Sequence, residues 1–137
     1  PGRLRPGSGR PIIVGMGQKV LLVDDSLVAR LGMKKILKDT PFEVVEAASG
    51  EDALAAIDGG LRPVFVFLDL TMPGMGGLNA LRELRRRDAK LPIVVVTADI
   101  QKATVEEARE AGATELLPKP AERAAVLDAL ARAGLGR

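Results

Sequence analysis

The chain has 137 residues, 47% of them apolar, with three Phe and no Trp, Tyr, Cys or His. That length bounds one domain with an aliphatic core; the missing Cys and His exclude disulfides, thiolate nucleophiles, Cys-type zinc sites and imidazole bases. The net charge of +2 is uneven: residues 1–19 carry Arg3, Arg5, Arg10 and Lys19 with no acid, so the rest is mildly acidic and offers no nucleic-acid footprint.

In chain order, residues 1–18 are rich in Gly, Pro and Arg and lack periodicity. They read as a flexible leader or an added tail, with Met16 as a native start inside it. A domain over 19–134 is expected to follow, with no output module expected after it. Val20–Val23 is an unbroken apolar run, the pattern of a strand covered on both faces. Ser26 or Asp25 caps a helix with Leu27, Leu31, Ile36 and Leu37 on one face. Residues 43–46 form a short strand after Pro41. Ser49 to Asp52 opens a helix with Leu54 and Ile57 inward, stopped at Gly59-Gly60. Residues 64–68 make the third strand, Pro73 to Gly77 a turn, and 78–88 a helix. Its closing Arg85-Arg86-Arg87 suits the negative end of the dipole, on a solvated face. Residues 93–96 after Pro92 are the fourth strand, and a helix over 102–111 ends at Gly112. Residues 114–117 are the fifth strand, and 121–133 the last helix, with Val126, Leu127 and Leu130 on one side. Alternating strands and helices predict a doubly wound (βα)5 α/β domain, its parallel sheet covered by helices on both faces. No apolar run reaches transmembrane length, and none follows the basic start as in a secretory signal, so no membrane partner is expected.

In such a sheet the C-terminal strand ends share one edge, where ligands of open α/β folds bind. Asp24-Asp25, Asp69, Thr97 and Lys119 each close an apolar run and so converge there. Asp24 and Asp25 suit the positive end of a helix dipole; beside a third carboxylate they also make a hard oxygen site for Mg²⁺. Asp69, just before Met72-Pro73-Gly74, is either a turn-capping acid or a carboxylate nucleophile able to form an acyl phosphate. Thr97 fits its strand by propensity alone and equally offers a hydroxyl to a phosphoryl oxygen. Lys119, between Pro118 and Pro120, is a surface lysine or a point charge for phosphate. Rival motifs fail: Val20 and Asn79 stand where a dinucleotide fingerprint needs glycine, and no G-x-x-x-x-G-K-[ST] loop exists. Met33, Met72 and Met75 read as packing residues.

The segments VLLVDDS (Val20–Ser26), FLDLTMPGMGG (Phe67–Gly77), PIVVVTA (Pro92–Ala98) and AGATELLPKP (Ala111–Pro120) together resemble the receiver domain of bacterial two-component response regulators, in its single-domain, CheY-like form. The resemblance implies a flavodoxin-like sheet in the order 2-1-3-4-5. It implies Asp69 as phospho-acceptor, supplied by a histidine kinase or phosphotransfer protein. Mg²⁺ is the implied cofactor, bound by Asp25, Asp69 and the Thr71 backbone carbonyl, with Asp24 acting partly through water. Lys119 is implied as the phosphate-binding lysine, preceding a cis peptide to Pro120, and Thr97 as the switch hydroxyl. Ala98 keeps phosphate access open. A downstream protein would read the face formed by residues 102–133.

The same resemblance implies a cytoplasmic monomer or weak dimer, with self-phosphorylation and autodephosphorylation as its only catalysis, and a link to chemotaxis. Leu116 stands where the family's switch aromatic is usual, Ala121 where Phe is common, and Gly76 where Asp is frequent. These departures leave the acceptor chemistry intact and make the switch weaker or differently wired. A non-phosphorylated scaffold and a receiver fragment of a larger regulator compete with this reading. An aspartate-nucleophile phosphatase needs a second Asp two residues past the nucleophile, where this chain has Thr71.

Overall fold

The computed structural model describes residues 17–135. The expectations for residues 1–16, Met16 among them, lie outside the described residues. The elements run β1 (Lys19–Val23), α1 (Leu27–Leu37), β2 (Glu43–Ala47), α2 (Gly50–Asp58), β3 (Phe65–Leu68) and α3 (Gly77–Arg87). They continue with β4 (Ile93–Thr97), α4 (Lys102–Glu110), β5 (Glu115–Pro118) and α5 (Arg123–Arg132). The strands form one parallel sheet in the order β2-β1-β3-β4-β5, as the resemblance implies.

The continuous apolar runs follow from this arrangement, because β1, β3 and β4 are covered on both sides and alternate residues enter two different cores. Leu21, Val23, Val66, Leu68, Ile93 and Val95 pack with Ala53 of α2, Ala80, Leu81 and Leu84 of α3, and Ala108 of α4. Val20, Leu22, Phe65, Phe67, Val94 and Val96 pack with Met33 and Leu37 of α1 and with Val126, Ala129 and Leu130 of α5. Each fully buried Leu, Val or Phe in these layers contributes on the order of 2 kcal/mol of transfer free energy. Local chemistry sets the helix starts. Ser26 accepts the Ala29 N–H at 3.1 Å, and Ser49 accepts the Asp52 N–H at 3.0 Å. Gly112, at φ +110°, ends α4 in a conformation that favours glycine.

Two expectations need correction. Leu27 and Leu31 do not share the inner face of α1 with Leu37; they are 59% and 52% exposed. The buried stripe instead runs through Met33 and Leu37, four residues apart, and Leu27 and Leu31 lie off it around the helix. Arg85 is not on a solvated face. Its half-buried guanidinium donates from Nε and Nη2 to the Gly112 carbonyl, at 3.0 and 2.7 Å. A planar fork suits that single acceptor, and it ties α3 to the turn before β5.

Candidate functional site

Register builds the site. Val23 is in register with Leu68, so Asp24 and Asp69 leave the sheet side by side. The Asp69 N–H donates to the Val23 carbonyl at 2.9 Å, and the Asp24 N–H to the Ala47 carbonyl at 3.1 Å. On the other side, Thr97 is in register with Pro118, and the Lys119 N–H donates to the Thr97 carbonyl at 2.9 Å. These ladder bonds extend each strand by one residue, so the functional side chains stand on rigid backbone. The Lys119-Pro120 peptide is cis.

One oxygen from each of Asp24, Asp25 and Asp69 lies within 4.8 Å of the other two. Asp24 and Asp69 are buried, whereas Asp25 is exposed. Both oxygens of Asp24 are engaged: Oδ1 accepts the Ser26 N–H at 2.9 Å, and Oδ2 meets Lys119 Nζ at 2.8 Å. Asp69 Oδ1 accepts the Thr71 N–H at 3.2 Å, and its Oδ2 is 3.5 Å from Lys119 Nζ. Burial pushes the Asp69 carboxyl above its ordinary value and the Asp24 charge adds to this, while the Thr71 N–H and Lys119 offset only part. Burial opposes the Lys119 charge too. The bond to Asp24 and the charge of Asp69 outweigh it and hold the ammonium above the usual lysine value.

Such a donor set suits a hard divalent cation. Two oxygens on one Mg²⁺ lie at most about 4.2 Å apart, given metal–oxygen distances of about 2.1 Å. Neighbouring oxygens on such an ion lie only about 3 Å apart, so a set within 4.8 Å fits with one carboxylate acting through water or with the carboxylates drawn together. Thr97 is fully buried at the end of β4, and its hydroxyl accepts the Asp99 N–H at 3.2 Å. Leu116 is in register with Val95 and packs, partly buried, against the core under α3 and α4. Ala98 is exposed and lines a cavity of about 440 Å³ beside Asp69 and Lys119. Val28, Ala29, Gly32, Met33, Pro120 and Ala121 wall that cavity, so the small Ala29 and Gly32 on α1 and Ala121 after β5 leave Asp69 open on this side.

Two supporting residues escape sequence reasoning. Gly77 opens α3 directly against the end of β3. Its N–H donates to the Leu70 carbonyl at 3.1 Å, and a Cβ there would lie 2.3 Å from the Asp69 carbonyl oxygen. The Gly76-Gly77 pair signals a turn but not this approach. Arg30 donates from Nη1 to the Asp24 carbonyl at 2.6 Å. Nothing in its position on a helix announces that contact.

Residues 20–131 match the family model of the response regulator receiver domain. The chemotaxis protein CheY of Thermotoga maritima is 38% identical over 116 residues, which are 84% of this chain and 96% of that protein. Response regulator UvrY of Escherichia coli O6:H1 is 37% identical over 113 residues, 81% of this chain but only 51% of UvrY. The solved CheX-CheY-BeF3-Mg complex from Borrelia burgdorferi is similar with a TM-score of 0.80 at 28% identity, covering 88% of this chain and 92% of that one. Among the described residues, no helix is long and apolar enough to cross a membrane. Sheet order, the family match over all ten elements and a relative covered along nearly its whole length agree, and the chain belongs to the response regulator receiver domains of two-component signalling systems.

Proposed function

We propose that Asp69 accepts a phosphoryl group from a phosphohistidine of a histidine kinase or phosphotransfer protein, and that the phosphorylated site switches the face over residues 102–133 for a downstream protein. One observation carries this reading: a buried carboxylate, Asp69, lies 3.5 Å from an ammonium, Lys119, beside two further carboxylates. An Asp69 oxygen attacks phosphorus, the P–N bond of the donor breaks with its electron pair returning to the imidazole, and a mixed anhydride forms. Lys119 faces the charge on the transferring oxygens. Asp25, Asp69 and the Thr71 backbone carbonyl would hold Mg²⁺ directly, and Asp24 through water, because Ser26 and Lys119 already occupy both its oxygens. Bound there, Mg²⁺ offsets the repulsion between the carboxylate and the incoming phosphate.

Once phosphate is in place, the Thr97 hydroxyl donates to it and draws in the loop leading to α4. Leu116 follows as a packing residue, without the leverage of a ring. Turnover is confined to self-phosphorylation and autodephosphorylation, and the working compartment is the cytoplasm. The beryllofluoride and Mg named in the related complex support the ligand chemistry. A second reading, a receiver piece of a longer regulator, is favoured by UvrY, of which the match spans about half.

The test is intact mass after incubation with Mg²⁺ and acetyl phosphate, run beside Asp69→Asn. One phosphoryl group gained by the wild type, and lost in the variant or without Mg²⁺, is the expected result. No adduct and no beryllofluoride binding would leave a scaffold receiver instead.

A further inference from the structure

Arg30 lies on α1 outside the acceptor pocket, yet its side chain is only 14% exposed. Its Nη1 donates to the Asp24 backbone carbonyl at 2.6 Å, and its Nε donates to Glu46 Oε1, on β2, at 3.0 Å. Lys34, one turn further along α1, holds Glu46 Oε2 at 3.0 Å. A carboxylate on β2, held between two cations, thus braces the guanidinium.

The Asp24 carbonyl belongs to the peptide that joins Asp24 to Asp25. Residue 24 follows the last residue of β1 and precedes Ser26, the cap of α1, so this carbonyl lies outside both ladders. A tie on that carbonyl fixes where the 24–25 peptide lies in the loop, and the Cα atoms at its two ends carry both carboxylates. Its neighbours are tied down: the Asp24 N–H to Ala47, and Asp24 Oδ1 to the Ser26 N–H. Arg30 supplies the tie on the carbonyl itself.

We infer that Arg30 is a positioning residue for the divalent cation: by gripping the 24–25 peptide it holds the Asp24 and Asp25 carboxylates where, with Asp69, they present one hard oxygen site. This rests on the reading of that cluster as the Mg²⁺ site. Two effects of removing Arg30 have opposite signs, which makes the inference sharp. Loss of a nearby cation strengthens Mg²⁺ binding through simple Coulomb attraction. Loss of the tie weakens it, since partners that orient metal ligands typically matter about tenfold or more in affinity.

The experiment is calorimetric titration of Mg²⁺ into unphosphorylated wild type, Arg30→Ala, Arg30→Lys and Glu46→Gln, each well below its melting temperature. The expected result is a Kd raised about tenfold in Arg30→Ala. Arg30→Lys, which keeps the charge and can reach one acceptor, recovers part of the loss, and Glu46→Gln shows a smaller rise. If Arg30→Ala fails to fold, the other two variants carry the comparison. An unchanged or lowered Kd in folded variants would overturn the inference and leave Arg30 a structural residue only, even if the melting temperature falls. A wild type that binds no Mg²⁺ would overturn the site reading itself, and this inference with it.

Discussion

Gly77 offers the most direct test of how the fold holds Asp69. A Cβ on Gly77 would lie 2.3 Å from the Asp69 carbonyl oxygen, 2.3 Å from Leu70 Cα and 2.8 Å from the Leu70 carbonyl carbon. Ordinary contact begins at 3.4 Å, so the shortfall is 1.1 Å. Every atom in the way is backbone, and no flexible side-chain tip can yield. In Gly77→Ala, either α3 moves off the sheet or the end of β3 moves with Asp69. Such overpacking costs about 1–3 kcal/mol, and weakening the bond from the Gly77 N–H to Leu70 adds about 1 kcal/mol. The better helix propensity of Ala returns at most about 1 kcal/mol. A net loss of about 1–3 kcal/mol lowers the melting temperature by roughly 4 °C per kcal/mol in a domain of this size. A displacement near 1 Å at Asp69 also slows phosphoryl uptake by as much as about 100-fold. Circular-dichroism melts and initial rates of mass gain with acetyl phosphate measure both effects. Gly32→Ala is the control: it sits mid-helix with nothing within 4 Å of the added carbon, so it should gain about 1 kcal/mol. A Gly77→Ala protein that melts no lower than wild type and takes up phosphate at the same rate would refute this close approach of α3 to β3.

Asp69→Asn should raise the melting temperature of the metal-free protein at neutral pH. The carboxyl titrates higher in the folded state than in the unfolded chain, so its ionisation destabilises the fold, fully above the folded value and not at all below the ordinary one. The gain must therefore vanish in acid, and a gain that persists once carboxyls are protonated would point to another cause. Lys119→Ala should still bind Mg²⁺ yet lose about 10²–10³-fold in transfer rate, as for the removal of one donor to a developing anion; unchanged kinetics in a mass-gain time course would contradict its role. Arg85→Ala removes two charged donors from the Gly112 carbonyl and should cost about 2 kcal/mol, read from the urea midpoint. An unchanged midpoint would show that solvent replaces the contact freely.

The two central cores and the sheet edge were legible from residue order. Runs such as Val20–Val23 and Ile93–Val96 have the pattern of strands covered on both sides, and each is followed by the residue that the structure brings to the shared edge. Helix ends at Ser26, Ser49 and Gly112 were legible for local reasons, because a cap is satisfied within three or four residues. The face of α1 was not legible, since Leu27, Leu31 and Leu37 are all apolar and only the lie of the helix on the sheet selects among them.

Sequence by itself thus determined the elements, their alternation, and the arrival of Asp24, Asp25, Asp69, Thr97 and Lys119 at one edge. Hydrophobic period and capping are properties of neighbouring residues, and the parallel fold converts strand ends into a common rim. Tertiary structure alone decided what each side chain touches there. Lys119 spans Asp24 and Asp69, Arg30 reaches back to the Asp24 carbonyl, Arg85 turns from solvent to Gly112, and Gly77 lies against Asp69. Those contacts join residues up to 95 positions apart in the case of Asp24 and Lys119, and no local pattern encodes a distance that register and packing set.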